Sequence, residues 1–370
     1  MNQCSPILAG FRPAVRVALL ALAAACSSLW LAGCSESNPA DPGSRTLTVD
    51  ASGGGDYRTI QEALTAARSI DVVVIQPGTY TGPGNRNLAF ANTSPTVMGA
   101  GSRDDTVIDC GGTGRGFYID GSSSPVIENL VITGGDTLRG AGMYLEGSSV
   151  TIRNVRFVAN EASYGGGGVY SRNGSPVLED VLFNDNSSNV EGGGMTCVSS
   201  DATLDGVTFL RNGAYGSGGG LACVFSSPEI SNCVFLDNYA VFGGGVFCGE
   251  SSPTITSCTF VENEGSQGSA VCAQDDSTPE IRYTIIAFGQ PGDGIFCDGS
   301  SPYTTLSCVF GNGTLNEICG SYTTSMLYED PLLCDVQYED LTLRADSPCL
   351  PENNEWGVRM GAFGEGCDAP

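Results

Sequence analysis

The chain has 370 residues and a formal net charge of −25, with 52 Gly, 41 Asp or Glu, 16 Arg, and neither Lys nor His. The absence of Lys and His excludes Ser-His and Cys-His catalytic pairs, imidazole metal ligands, Schiff-base amines and P-loop nucleotide binding. The acidic balance also argues against a nucleic-acid partner, which requires a basic surface.

The first predicted element is an export signal at residues 1–33. Arg12 and Arg16 precede the run VALLALAAACSSLWLAGC, whose clean apolar stretch is too short to predict a membrane-spanning helix. The motif LAGC at 31–34 resembles the lipobox of bacterial lipoproteins. This resemblance implies lipid attachment at Cys34 and, with Ser35 next, anchoring to the outer membrane or cell surface. Residues 34–45 are then a short tether; an ordinary cleaved signal that contains a cysteine is the alternative.

The next predicted elements are a helix and a buried strand. TIQEALTAARS at 59–69 has an amphipathic pattern, and DVVVIQPGTY at 71–80 reads as a strand buried on both faces. Because open strand edges template aggregation, we expect the helix to cover the first coil of the fold that follows.

The middle of the chain repeats itself about every 25 residues, with Gly-rich segments starting at 140, 165, 192, 218, 243, 268 and 294. Apolar residues two apart predict short strands, and the Gly clusters and Ser-Pro or Thr-Pro pairs predict corners. One such unit cannot bury its apolar face alone and must stack on the next. The prediction is an all-β, single-stranded parallel β-helix of about ten coils over 46–320, with an N-terminal helical cap and an irregular C-terminal cap at 321–370.

Three columns recur once per repeat and predict ladders along the rod. We expect the asparagines to hydrogen-bond from coil to coil, the phenylalanines to stack inside, and the cysteines to form an inward file. The cysteines are expected to act as small buried hydrophobes, and one or two disulfides among them remain an alternative. None of the cysteines has the spacing of a zinc site. The columns are Asn160, Asn186, Asn212, Asn238 and Asn263; Phe157, Phe183, Phe209, Phe235 and Phe260; and Cys197, Cys223, Cys248, Cys272 and Cys297.

Three motifs resemble known β-helix proteins. GGGDYRTIQEALTAARSIDVVVIQPGTY at 53–80 resembles the beginning of the pectin-lyase-like superfamily, and the Gly-Gly-Gly-aliphatic and Phe-x-x-Asn repeats resemble chlamydial polymorphic outer-membrane proteins. The tail DPLLCDVQYEDLTLRADSPCLPENN is similar to the end of bacterial right-handed β-helix repeat proteins. The resemblance implies right-handed coiling. It implies no single activity, because the superfamily includes lyases, hydrolases, esterases and adhesins.

Arg153 is the weak catalytic candidate, because pectate lyases of this superfamily pair calcium-binding Asp residues with an Arg base. Glu128, Arg153, Glu179 and Asp205 occupy one column, however, so an outward ladder of ion pairs is expected instead. The acidic residues before the ladder asparagines, Asp185, Asp237 and Glu262, have oxygen ligands suited to Ca²⁺. Arg211 interrupts that column, so we expect a solvated face and no cofactor, with Ca²⁺ as the alternative.

The sequence therefore predicts a non-enzymatic cell-envelope lipoprotein that displays a rigid β-helix for adhesion, binding or scaffolding. Its expected partners are the membrane, through the lipid anchor, and a polysaccharide or a surface protein. The alternative is a calcium-dependent lyase acting on acidic polysaccharides. Exposed aromatic residues along one face would favour glycan binding, whereas an Arg among three carboxylates in a groove would favour the lyase.

Overall fold

The computed structural model describes residues 43–313 and 318–369, so the export signal, Cys34 and most of the tether lie outside the described residues. The described chain winds into a right-handed parallel β-helix, as predicted. It has about 12 turns rather than ten, because the coils before the regular Gly-rich repeats also belong to the rod.

Three parallel sheets form the sides of the rod, with 21, nine and seven strands. The first sheet contains Thr46–Val49, Val72–Ile75, Gly78–Thr81, Thr96–Gly99, Thr106–Asp109, Val126–Thr133, Thr151–Val158, Val177–Glu179, Leu182–Asn184, Thr203–Asp205, Thr208–Leu210, Glu229–Ser231, Val234–Leu236, Thr254–Thr256, Thr259–Val261, Glu280–Arg282, Ile285–Ala287, Tyr303–Thr305, Ser307–Phe310, Ser321–Tyr322 and Met326–Leu327. The second contains Leu88–Ala89, Phe117–Asp120, Met143–Glu146, Val169–Arg172, Met195–Val198, Leu221–Val224, Val246–Gly249, Val271–Gln274 and Ile295–Asp298. The third contains Asp136–Arg139, Glu161–Gly165, Ser187–Ser188, Gly213–Ala214, Tyr239–Phe242, Glu264–Gln267 and Gln290–Pro291.

The interior of the rod is a stack of equivalent side chains from successive coils. The five phenylalanines of the predicted column are buried, with ring centroids 5.0, 4.8, 4.8 and 4.5 Å apart along the file. The five asparagines are buried at the turn that follows, and the side-chain amides of the first four each donate to the next asparagine along the rod. Because every coil repeats the same contacts, the repeat in the sequence is architectural.

The Gly-rich corners leave no space for side chains. Gly192 has a φ of +60°, in the left-handed region that favours glycine. A Cβ on Gly193 would lie 2.4 Å from the carbonyl oxygen of Gly213 in the next coil, closer than any tolerable contact. A side chain at this corner would therefore clash with the backbone of the adjacent coil.

The N-terminal helix spans Ile60–Ala66 and is shorter than the amphipathic pattern suggested. Thr59 and Glu62 form a capping box at its start, and Ile60 and Leu64 are buried against the first coils, as expected for a cap. The helix ends early because the buried carboxylate of Asp71 accepts hydrogen bonds from the backbone and side chain of Arg68. The short 3₁₀ helices are Arg103–Asp105, Val336–Tyr338 and Pro351–Asn353.

The parallel ladder continues to Leu327, past the predicted boundary at 320. Beyond it, residues 333–367, here called the C-terminal segment, form a small sheet of Leu333–Asp335, Asp340–Arg344 and Glu365–Cys367. The segment packs against the outer face of the first sheet rather than over the end of the rod alone. Outward apolar side chains of that sheet explain this position, since Leu341 packs with Leu210, Leu236 and Val261.

The predicted cysteine file is interrupted at one place. Cys197, Cys223 and Cys248 lie in register and are buried, but the next residue in register is Ala273, and Cys272 pairs with Phe247 instead. The prediction for Cys272 was wrong by one residue, because residues 268–270 fill a complete three-residue corner and the strand begins only at Val271. Cys297 rejoins the register and forms a disulfide with Cys319.

A second disulfide joins Cys334 and Cys367 within the C-terminal segment. The other thiols in the described part of the chain are buried. Burial raises the pKa of Cys197 to about 12, so this thiol stays protonated and behaves as a small apolar group. Within the described residues, no helix has the length and apolarity needed to cross a membrane.

Candidate functional site

Arg153 lies on the outer face of the first sheet, in register with Glu128 on one side and Glu179 on the other. Its guanidinium forms an ion pair with Glu179, and both side chains are nearly half exposed, at 49% and 43%. Asp205 continues the column in the next coil. An exposed cross-strand pair of this kind contributes at most about 1 kcal/mol and supplies no enclosed site. The surroundings of Arg153 are those of a surface ladder.

The acidic column proposed for Ca²⁺ lies at a left-handed corner of the coil. Asp185, Asp237 and Glu262 all have φ near +50°, and so does Arg211 between them. Arg211 forms ion pairs with Asp185 at 3.3 Å and with Glu339 of the C-terminal segment at 2.6 Å. Within residues 43–313 and 318–369, no three acidic or thiol side chains converge as metal ligands. Arg211, rather than the carboxylates of this column, thus links this face to the docked C-terminal segment.

A row of tyrosines occupies the outer face of the second sheet. Tyr118, Tyr144 and Tyr170 lie in register on three successive coils, between side chains that point into the core. Their ring centroids are 5.4 Å apart at both steps, and the ring planes are within 8° of parallel. Tyr118 is 41% exposed, whereas Tyr170 is buried at 5%. The rings therefore stack along the rod axis, with Tyr118 at the surface, Tyr144 half-buried and Tyr170 buried.

Two arginines lie over this stack. The guanidinium of Arg115 is 5.7 Å from the ring centroid of Tyr118 and 5.1 Å from that of Tyr144. The guanidinium of Arg139 is 5.6 Å from Tyr170 and 4.2 Å from Tyr164, which comes from the third sheet. Such contacts contribute about 0.5–2 kcal/mol each. We call this surface the tyrosine platform and define it as Tyr118, Tyr144, Tyr164, Tyr170, Arg115 and Arg139.

The positive charges of the platform have no carboxylate partner. Among the described residues, neither Arg115 nor Arg139 has a carboxylate oxygen within 4 Å, whereas Arg153 and Arg211 do. Arg115 donates a hydrogen bond to the hydroxyl of Thr137 at 3.2 Å. The Nε of Arg139 is buried and has no hydrogen-bond partner in the described part of the chain. Both guanidinium groups are therefore able to bind an external anion.

The phenols of the platform act as hydrogen-bond donors rather than bases. The hydroxyl of Tyr144 donates to Glu146 at 2.9 Å. Burial, together with this carboxylate, raises the pKa of Tyr144, and burial raises the pKa of Tyr170. Both phenols are therefore protonated at neutral pH. Burial likewise raises the pKa of Glu191, the carboxyl closest to Arg139 in this region, against the opposing charge of that arginine.

The platform lies in the less acidic half of the molecule. Residues 43–180 contain 14 acidic side chains and 10 arginines, whereas residues 181–370 contain 25 acidic side chains and four arginines. An anionic ligand is therefore repelled least near the tyrosine platform.

The sequence contained a signal for this surface that the prediction overlooked. Tyr118, Tyr144 and Tyr170 each follow the inward apolar residue of their strand, in the segments FYID, MYLE and VYSR. The predicted columns were the inward positions of the repeat, so this outward column was not recognised. The pairing of Arg115 and Arg139 with the rings was not predictable, because both arginines come from neighbouring corners rather than from the column.

Comparisons with known proteins identify the fold. Residues 103–271 match the family model described as "Right handed beta helix region". Pectate lyase Pel9A is similar in structure, with a TM-score of 0.50 and 14% sequence identity over 87% of this chain and 96% of the other. An alginate lyase from Paenibacillus sp. str. FPU-7 has a TM-score of 0.49 and 14% identity over 76% of this chain and 99% of its own. No curated protein sequence matches the chain. At these identities the similarity establishes the fold alone.

Proposed function

We propose that the protein is a non-enzymatic, lipid-anchored component of the cell envelope whose tyrosine platform binds an acidic polysaccharide. The observation that carries this proposal is the pair of guanidinium groups, Arg115 and Arg139, held over aromatic rings and forming no ion pair with a carboxylate of the described residues. In a chain with a formal charge of −25, nearby carboxylates are abundant, so unpaired arginines point to an external anion.

The repeat of the platform suits a polymeric ligand. Equivalent phenols recur on three successive coils, at a spacing comparable with one sugar residue of an extended glycan. Sugar carboxylates or sulfates would pair with the guanidinium groups through charge-assisted hydrogen bonds. Sugar hydroxyls would bond the phenols and Glu146. A glycan lying parallel to the rod axis makes all these contacts at once.

The geometry supports binding better than the calcium-dependent lyase alternative. Arg153 lies on an open face and is already paired with Glu179, so it lacks the enclosed carboxylate setting that the lyase requires. The phenols of Tyr144 and Tyr170 have raised pKa values and are poor general bases. We therefore propose no resident cofactor. If Ca²⁺ instead bridges carboxylates of the protein and the glycan, binding measured with Ca²⁺ would be tighter than binding measured without it.

The anchor and the location form a separate part of the proposal. The LAGC motif supports lipid attachment at Cys34 and a position on the outer membrane or the cell surface. In this arrangement the rod displays its platform near envelope glycans, with no role for nucleic acid. A Cys34→Ala variant should appear in the soluble fraction of the exporting cell. Its retention in the membrane fraction would contradict the lipid anchor.

Binding can be tested with purified residues 35–370 and a panel of acidic and neutral polysaccharides, with and without Ca²⁺. Affinity, unsaturated products and new reducing ends would be measured together. Loss of one charge-assisted contact costs about 1.5–3 kcal/mol, so Arg115→Gln should weaken binding of acidic glycans roughly 10- to 100-fold. Tyr144→Ala should weaken binding of the same glycans.

Two control variants match these changes. Arg282→Gln removes an exposed arginine that is paired with Glu280 on the first sheet, and Tyr215→Ala removes a 71% exposed tyrosine on the third sheet. Both should bind as the unmodified protein does. Equal effects of platform and control variants, or no glycan binding at all, would refute the proposal and favour a protein partner. Calcium-dependent cleavage that Arg153→Ala abolishes would establish the lyase instead.

A further inference from the structure

The two disulfides leave the C-terminal segment without a covalent link to the rod. Cys297 and Cys319 are both in the last coils, and Cys334 and Cys367 are both in the C-terminal segment. Each bridge thus stabilises one part of the structure internally. The contact between the two parts depends on apolar packing, on the ion pair of Arg211 with Glu339, and on two hydrogen bonds. In these bonds the backbone N–H groups of Gly361 and Ala362 donate to the carbonyl oxygen of Tyr283 and the hydroxyl of Thr259.

Two further thiols meet at the interface between these parts. Cys308 is on the outer face of the strand Ser307–Phe310, and Cys349 belongs to the C-terminal segment. Both are fully buried in one apolar cluster with Ile285, Leu343 and Met360. The two thiols come from separate segments and share this small cluster, and the neighbouring thiol of Cys349 raises the pKa of Cys308. The thiol of Cys308 also donates to the carbonyl oxygen of Glu329 at 3.3 Å.

The core contains a second thiol pair that provides a contrast. Cys233 and Cys258 also contact each other through their thiols, but they occupy equivalent positions on neighbouring coils. Stacked strands hold such Cβ atoms about 4.8 Å apart, beyond the roughly 3.5–4.5 Å of a disulfide. Cys308 and Cys349 are on separate segments that face each other, so the coil spacing does not restrict their approach.

We propose that Cys308 and Cys349 form a third disulfide, which fastens the C-terminal segment to the side of the rod when the protein folds in an oxidising compartment. The two thiols lose two protons and two electrons. The electrons pass, through a mixed disulfide, to a disulfide oxidant such as glutathione disulfide or an oxidised thiol oxidase, which is released as two thiols.

The local environment indicates when the bond forms. The neighbouring thiol of Cys349 and burial raise the pKa of Cys308 well above its ordinary value, so its reactive thiolate is scarce in the folded state. Oxidation therefore takes place while the C-terminal segment docks, before the cluster closes. Once formed, the bond holds the C-terminal segment against the apolar face of the first sheet. The tyrosine platform is on another sheet and is not covered by this segment.

Peptide mapping tests the inference directly. The chain would be refolded with glutathione disulfide, alkylated without reduction, digested and analysed by mass spectrometry. The Cys334–Cys367 bridge is the internal control: its presence in a digest shows that the conditions were oxidising, and only such digests are used. We expect a linked pair of peptides containing Cys308 and Cys349 that separates on reduction, with Cys233 and Cys258 both alkylated. Alkylated Cys308 and Cys349 in that same digest would overturn the proposal.

A stability cycle provides a second, independent readout. Cys308→Ser and Cys349→Ser should lower the unfolding midpoint of the oxidised protein by similar amounts, and the double variant should lower it no further. When unfolding is measured in a reducing agent, the unfolding midpoint of the unmodified chain should no longer exceed those of the variants by the same amount. Additive effects of the two substitutions, or differences in midpoint from the unmodified chain that a reductant does not change, would show that the thiols only pack against each other. The control variant Cys197→Ser keeps all the paired cysteines, so its difference in midpoint from the unmodified chain should be the same with and without the reductant.

Discussion

Replacing a single asparagine of the ladder should destabilise the rod far more than its one side chain suggests. In Asn186, the amide nitrogen donates to the carbonyl of Phe157 and to the side chain of Asn212, both at 2.9 Å. Its side-chain oxygen accepts from the backbone and the side-chain nitrogen of Asn160, at 3.1 and 3.0 Å. Asn186→Ala removes all four bonds at a position that is 1% exposed.

The cost follows from the groups that lose their partners. The Asn160 backbone N–H, the Asn160 amide and the Phe157 carbonyl are left without these bonds inside the rod, and each unsatisfied buried group costs about 1–3 kcal/mol. A total on the order of 3–5 kcal/mol is expected for Asn186→Ala, a large fraction of the stability of a typical domain. Asn186→Asp should also destabilise at neutral pH, because it buries a charge beside a carbonyl oxygen.

The two substitutions differ in their pH dependence. Burial would raise the pKa of the new carboxyl above its unfolded value, so the cost of Asn186→Asp should decrease as the pH falls. A protonated carboxyl can again donate to Phe157 and accept from Asn160. The cost of Asn186→Ala should not change with pH. Urea unfolding followed by far-UV circular dichroism at pH 7 and pH 4 measures both effects.

The matched control is Asn189→Ala, three residues along the same coil. Asn189 is exposed, and its backbone N–H, which the substitution leaves intact, bonds to the carbonyl oxygen of Ala162. The free energy of unfolding of Asn189→Ala should stay within about 0.5 kcal/mol of that of the unmodified protein. If Asn186→Ala unfolds at the same urea concentration as Asn189→Ala, the ladder does not carry the stability assigned to it.

Two further predictions concern the ends of the rod. Asp71 is buried and accepts hydrogen bonds from Arg68 and Arg45, which hold its pKa far below the ordinary value despite burial. Asp71→Asn should cost about 2 kcal/mol at neutral pH. Because the folded-state pKa of Asp71 lies far below its unfolded value, this difference from the unmodified chain should begin to shrink as the pH falls below about 4 and should vanish only near the folded-state pKa, as urea midpoints across pH would show. At the other end, Leu341→Asp places a charge against the apolar face of the first sheet, so limited proteolysis followed by reduction of the disulfides should remove the C-terminal segment and spare the rod. Uncleaved Leu341→Asp protein would show that the segment is held by other contacts.

The rod was predictable because its core repeats in the sequence. Phe157, Phe183 and their equivalents recur once per coil, so each repeat provides an independent indication of the same inward position. Coil number was less predictable. The early strands, such as Thr46–Val49 and Val72–Ile75, pair in the ladder without the Gly-rich corner that marks a regular repeat. The shift at Cys272 has the same cause, since a corner built from residues 268–270 lacks the three glycines that defined the alignment.

The outer surfaces were less predictable, because contacts between non-equivalent parts of the chain leave no periodic pattern. The apolar residues Leu210 and Leu236 were visible in the sequence, yet nothing there paired them with Leu341, more than 100 residues away. The stacking of Arg115 on Tyr144 likewise depends on how a corner folds back over the sheet.

The two outer faces indicate different roles when they are compared. On the first sheet, outward apolar side chains are covered by the protein's own C-terminal segment, and Leu210 is only 7% exposed there. On the second sheet, Tyr118 remains 41% exposed, and Arg115 contacts the rings of Tyr118 and Tyr144 rather than a carboxylate. The equivalent outward residues on the following coils, from Tyr170 to Cys272, are buried, so the accessible part of this face is at Tyr118 and Tyr144. A chain that shields one such surface and leaves charged aromatic groups accessible on another favours the accessible surface for binding.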